Sequence, residues 1–101
     1  MKQIQGDLWC EITPDEITFN EDVAGMLDCP KVTAIFNGKS MSIMPDDNGV
    51  DFGLDETPDG WIKDRNIIDF ALQVCGEGFY EGRVNGDGIT FNLSETCEDP
   101  E

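Results

Sequence analysis

Hydrophobic residues alternate in short runs over most of this chain and crowd together only once, between residues 60 and 78. There Ile67, Ile68, Phe70, Ala71, Leu72, Val74 and Cys75 leave a thin polar stripe of Arg65, Asn66, Asp69 and Gln73, with Asp64 placed to cap the start and Gly76 and Gly78 to end it. The pattern predicts a helix with a wide apolar face, and the alternating runs elsewhere predict a sheet for it to cover.

Leu8, Cys10 and Ile12 alternate with Trp9, Glu11 and Thr13, residues 13–16 supply a turn, and Ile17 and Phe19 resume the pattern as a first hairpin. Asn20 precedes a short helix carrying Val23, Met26 and Leu27, stopped by Pro30. A second hairpin is expected about a two-residue Asn37-Gly38 turn, which pairs Phe36 with Lys39, Ala34 with Met41 and Val32 with Ile43. Val50, Phe52 and Leu54 predict a further strand. Residues 55–60 read as a loop leading through Trp61 and Ile62 into the helix. After the helix, Tyr80, Gly82 and Val84 share a face with Ile89, Phe91 and Leu93 across a loop at residues 85–88.

The expected fold is α+β: an antiparallel sheet of about five to seven strands with one main helix packed on it, in the order β-β-(short helix)-β-β-β-α-β-β. A chain of 101 residues is one domain, placed at 1–94, with 95–101 as a frayed acidic tail.

Charge changes the picture more than composition does. Twenty-two acids against six bases, with no His, give a formal net charge of -16, well beyond the magnitude of about 2–8 that keeps a small domain soluble. The bases are Lys2, Lys31, Lys39, Lys63, Arg65 and Arg83; residues 3–30 hold seven acids and no base, and residues 40–62 hold six acids and no base. Such a chain is expected to be repelled by nucleic acid and by anionic membrane, and to be met by a cationic partner or to sit in high salt.

Catalytic signatures are missing. Without His there is no triad, no Gly-rich phosphate loop carries its Lys, and so many carboxylates make any one pair uninformative as an acid/base dyad. An enzyme is not expected, nor a cofactor. Cys10, Cys29, Cys75 and Cys97 have no metal-ligand spacing; they are expected as free thiols, with Cys10 and Cys75 in the core and Cys97 exposed. Residues 55–66 imitate the start of a calcium loop, but Asn66 stands where the bidentate Glu belongs and Lys63 occupies a ligand position. The first residues carry no apolar leader, and no run nears the roughly 18 residues that span a bilayer, so a soluble, cytoplasmic protein is expected.

The candidate partner-binding residues are therefore Asp46, Asp47, Asp51, Asp55, Glu56 and Asp59, with Asp15, Glu16, Glu21 and Asp22 as a second patch, and Trp9 and Trp61 as aromatic anchors beside them. Six phosphates of one DNA strand span about 20 Å at roughly 3.4 Å each, a charge density that the 46–59 segment, folded back on itself, would match. In size, acidity and lack of catalytic motifs the chain resembles small phage-encoded anti-restriction and anti-CRISPR proteins, a resemblance of whole-chain character alone. It implies an inhibitor that binds a basic DNA- or RNA-processing protein in the host cytoplasm, as a nucleic-acid mimic or a cover for its site. The alternatives are an immunity protein or antitoxin neutralising a cationic nuclease toxin, and a calcium-dependent binding module.

Overall fold

The computed structural model describes residues 2–54 and 59–100. The first hairpin joins β1 (Trp9–Ile12) to β2 (Ile17–Phe19), with Cys10 opposite Phe19 and Ile12 opposite Ile17, all four fully buried. There follow α1 (Glu21–Leu27), β3 (Lys31–Asn37), β4 (Ser40–Pro45), β5 (Val50–Asp51), β6 (Gly53–Leu54), β7 (Gly60–Ile62), α2 (Arg65–Val74), β8 (Gly78–Asn85) and β9 (Gly88–Asn92). All the strand pairings are antiparallel, in the order β5-β3-β4-β9-β8-β1-β2-β7-β6.

The two ends of that order belong to one stretch of chain. Val50 and Asp51 pair with Val32 and Lys31, whereas Gly53 and Leu54 pair with Trp61 and Gly60. Phe52 is the joint: its N–H donates to the Pro30 carbonyl at 2.9 Å and its side chain is buried in the core. A strand that serves both edges turns the sheet into a nearly closed barrel of eight strands, counting 50–54 once. The expected antiparallel sheet of about five to seven strands with one main helix packed on it is corrected in this respect. The missing strand is β7, whose three residues are too few to show a period.

Two helices act as stoppers rather than as a layer. Because β2 and β7 run antiparallel, Phe19 faces Gly60 at one end and Ile17 faces Ile62 at the other. α1 leaves from the Phe19 end and α2 from the Ile62 end. α1 buries Val23, Ala24 and Leu27, so Met26, expected on the inner face, lies outside at 53% exposure. In α2 the Asp64 carboxylate accepts from the Ile67 N–H at 3.0 Å, which caps the helix as expected. Only Ile68 and Ala71 of α2 are fully buried, and Phe70 is half-exposed against Phe36 of β3, with ring centroids 4.6 Å apart. The wide apolar face therefore closes a barrel mouth and is not pressed on a flat sheet.

Hairpin faces follow the hydrophobic pattern, but turn positions do not. In the second hairpin Phe36 pairs with Met41 and Ala34 with Ile43, so the turn is Gly38-Lys39 and the expected register is off by two residues. Gly38 at φ 61 takes the first turn position, the glycine placement of a type II′ turn. A shift of two preserves every side chain's face, which is why the pattern alone does not detect it. Gly86, at φ 63, likewise opens a two-residue turn between Asn85 and Gly88.

The acidic tail is tied down, against expectation. The Cys97 N–H donates to the Phe79 carbonyl and the Glu98 N–H to that of Lys2, each at 2.7 Å, so Cys97 is buried, not exposed. Among the described residues no helix is long and apolar enough to cross a membrane.

Candidate functional site

The barrel sorts the carboxylates by end. Phe19 is followed by the Asn20 cap of α1, which places Glu21 and Asp22 in the first helical turn, where the helix dipole favours acids. Asp28 closes the same helix in the left-handed conformation, at φ 38. Three residues later Lys31 begins β3, with Asp51 opposite it and the Asp46 N–H donating to its carbonyl at 3.1 Å. Asp47 is near enough to Cys29 to act on its thiol electrostatically, and Asp59 precedes Gly60, the partner of Phe19.

Thus the connections β2–α1, α1–β3 and β4–β5 and the approach to β7 converge on the α1 end, bringing Glu21, Asp22, Asp28, Asp46, Asp47, Asp51 and Asp59 together. The segments that supply these seven acids, 20–31, 45–51 and 59–60, contain one base, Lys31. Its Nζ lies 3.9 Å from the Asp51 carboxylate, both side chains well exposed, a pair of little energetic weight. Asp46 uses one oxygen to accept from the Asn48 N–H at 2.9 Å. The side chains of Glu21, Asp22, Asp28, Asp47 and Asp59 make no hydrogen bond or ion pair with any described residue.

The expected second patch is split. Glu21 and Asp22 join Asp46, Asp47, Asp51 and Asp59, whereas Asp15 and Glu16 lie in the β1–β2 turn at the opposite end, beyond roughly 10 Å of strand. There the Glu16 N–H bonds to the Thr13 hydroxyl, which itself donates to the Glu16 carbonyl. Lys63 and Arg65 flank the start of α2 at that end, and Arg65 grips Asp69 at 2.7 Å. Asp55 and Glu56 lie outside the described residues.

Trp9 and Trp61 both point outward from the barrel. Trp61 lies on Gly53, with the Lys63 Nζ 4.3 Å from its ring centroid. Trp9 meets Phe79 edge to face, centroids 5.6 Å apart. Its backbone N–H donates to the Asn20 side chain at the start of α1 at 3.2 Å. Two features give no sign in the sequence. A groove of about 540 Å³ between α1 and β8 exposes Met26 and Val84 beside Asp22 and Arg83. On the outer wall of β3, β4 and β9, beyond Lys31 at the start of β3, Thr33, Ile35, Asn37, Ser40, Ser42, Met44, Thr90 and Asn92 are all uncharged.

Of the thiols, Cys10 and Cys97 are buried and Cys29 and Cys75 partly covered. Burial pushes the Cys10 thiol well above its ordinary range and raises Cys29, Cys75 and Cys97 as well. A raised thiol is a weaker source of the nucleophilic thiolate. Tyr80, raised to about 12 mainly by burial, donates to the carbonyls of Cys75 and Gly76 at 3.0 and 3.1 Å, where α2 gives way to β8. Among the described residues no group of three His, Cys, Asp or Glu side chains is arranged to hold a metal ion. Within the 55–66 segment Gly60–Ile62 is a barrel strand and the Asp64 carboxylate caps α2, while residues 55–58 lie outside the described residues.

Comparison with protein-family models, with curated proteins and with solved structures finds no match to this chain.

Proposed function

We propose that this protein is a non-enzymatic inhibitor that docks the α1 end of its barrel on a basic nucleic-acid-processing protein, its carboxylates standing where phosphates would. The observation that carries this is the convergence of four separate connections on one end, which brings seven carboxylates together, with Lys31 among them and Arg83 beside Asp22 as the bases near them among the described residues. Self-repulsion of that kind works against folding and is removed when a cationic surface covers it. Glu21, Asp22, Asp46, Asp47, Asp51 and Asp59 form the contact, Asp28 extends it, and Asp15 and Glu16 face away.

The test is retention from nuclease-treated lysate of the source cells at roughly 0.1 M and 0.5 M salt, since a surface electrostatic complex loosens as the Debye length shortens. A basic DNA- or RNA-binding protein is held at low salt, released at high salt and displaced by added duplex. Neutralising Asp46, Asp47, Asp51 and Asp59 to Asn lowers retention, whereas Asp15→Asn with Glu16→Gln does not. Equal retention by both variants overturns the assignment, and recovery of one small cationic nuclease toxin replaces the inhibitor with an antitoxin.

A further inference from the structure

We infer that the groove between α1 and β8 receives an apolar side chain of the partner that stands next to a base, and that this contact orients the docked complex. The inference rests on the docking function above and adds to it a contact that charge alone does not supply. The groove, of about 540 Å³, is lined by the buried Leu8 and by Met26 and Val84, each 53% exposed, with Asp7, Asp22 and Arg83 around them.

Three observations define the occupant. First, the described residues include four exposed large hydrophobic side chains, and two of them, Met26 and Val84, meet in this groove. Met26 does no core packing, because α1 buries Val23, Ala24 and Leu27 instead. Second, the charges are divided between the two sides. Asp22 is in the first turn of α1, and Asp7 is held beside that turn by the Asn20 side chain, whose N–H donates to the Asp7 carbonyl at 2.6 Å; Arg83 belongs to β8. The side chains of all three make no hydrogen bond or ion pair with any described residue. Third, the groove is already formed, since the Gly82 N–H donates to the Leu8 carbonyl at 2.9 Å and ties the N-terminal segment to β8.

A second copy of this chain does not fit the groove. It would bring another net charge of -16, and two half-exposed side chains offer far less than the roughly 800 Å² per partner that a stable dimer buries. A wholly apolar segment would leave Asp7 and Asp22 without a counter-charge. An apolar side chain beside a Lys or Arg meets both demands: it covers Met26 and Val84 while the base turns to the Asp7 and Asp22 side. The unbranched thioether of Met26 adapts to the shape it receives, and an apolar centre with a charged rim is the usual make-up of an interface anchor. Asp22 belongs both to the acidic end and to the groove, so a partner drawn in by charge arrives at the groove as it docks. Salt screens the diffuse attraction and leaves the apolar contact, which makes the groove the salt-resistant share of binding.

The test uses the whole isotope-labelled protein and three capped tripeptides, Lys-Leu-Lys, Lys-Ser-Lys and Glu-Leu-Glu, read by the backbone amide resonances of Asp22, Met26, Arg83 and Val84. Saturable shifts are expected with Lys-Leu-Lys, about fivefold weaker binding with Lys-Ser-Lys and none with Glu-Leu-Glu. The preference for leucine persists at roughly 0.5 M salt while the affinity of both lysine peptides falls. Met26→Gln with Val84→Thr, both at exposed positions, removes the preference. Asp7→Asn with Asp22→Asn weakens both lysine peptides and keeps it, and Asp15→Asn with Glu16→Gln, at the far end of the barrel, changes neither. Equal binding of the two lysine peptides, binding of Glu-Leu-Glu, non-saturable shifts, or a preference that survives the Met26 and Val84 changes overturns the groove. Failure here with partner retention still lowered by neutralising Asp46, Asp47, Asp51 and Asp59 sinks the groove and leaves the docking surface. The converse result sinks the docking surface alone.

Discussion

Gly53 lies directly beneath the indole of Trp61: a Cβ built on Gly53 would sit 1.9 Å from Cε2 and 2.0 Å from Cζ2 of that ring. The two residues are cross-strand partners in the β6–β7 ladder, one of the two pairings through which the 50–54 segment closes the barrel. Gly53→Ala is therefore expected to force the strands apart and to destabilise the fold by about 1–3 kcal/mol, the usual cost of overpacking. Urea unfolding followed by tryptophan fluorescence measures it. Gly25 is the control. It sits exposed in α1, and the methyl that an alanine would add there meets nothing within 4 Å, so Gly25→Ala is expected to add about 0.5–1 kcal/mol through helix propensity.

That closure shows where the sequence was readable and where it was not. Alternation reports which face a side chain takes, so Cys10, Ile12, Ile17, Phe19, Met41, Ile43, Ile89 and Phe91 are legible as core. It reports nothing about which strands meet. Val50–Leu54 reads as one strand and is one in direction, yet it changes partner at Phe52, a property of the barrel's curvature rather than of its residues. The acids were legible as a surface and only partly as a site. Glu21 and Asp22 stand beside Asp46 because α1 and the β4–β5 connection share a barrel end, while Asp15, only six residues from Glu21, is carried away by β2. Trp9 was legible as outward-facing. The seating of the tail was not legible, since a run of acids after the last strand gives no sign that Cys97 pairs with Phe79.

Thiol reactivity checks that tail directly. Cys97 is buried and its thiol is raised by burial, whereas Cys29 and Cys75 are only partly covered. Native protein treated with iodoacetamide near pH 8 is expected to label Cys29 and Cys75 first, with Cys10 and Cys97 reacting only as the chain opens. Peptide mass mapping over time distinguishes this from a free tail, in which Cys97 would lead.

The Tyr80 hydroxyl is expected to give the fold an alkaline limit. Its folded pKa of about 12 lies above the ordinary 10, so the folded state keeps a proton that the unfolded chain releases. The resulting stability is complete below pH 10 and is lost as pH rises from 10 towards 12. The buried thiols act in the same direction from about pH 9, their ordinary value. Tyr80→Phe should flatten the upper part of this decline. At neutral pH it should cost about 1–3 kcal/mol, because the Cys75 and Gly76 carbonyls lose their donor in a packed site. Denaturation midpoints for both proteins at pH 7, 9, 10 and 11 provide the comparison.

Stability and docking are expected to oppose each other at the α1 end. Asp46 and Asp47 are adjacent in the β4–β5 connection, and Asp51, Glu21, Asp22 and Asp28 come to the same end, with Lys31 and, beside Asp22, Arg83 to offset them among the described residues. Repulsion among exposed like charges is screened within a Debye length of about 10 Å at 0.1 M salt, so added sodium chloride should raise the melting temperature of the native protein. Asp47→Asn removes one of these charges without breaking a hydrogen bond, and it should stabilise the fold by about 0.2–0.5 kcal/mol at low salt and by less at high salt. Asp46→Asn tests a different balance, because the Asp46 side chain also accepts from the Asn48 N–H. A gain from Asp47→Asn that vanishes in high salt, together with weaker partner retention, is the behaviour of a charge kept for a partner. A gain with retention unchanged would mean that Asp47 contributes to neither.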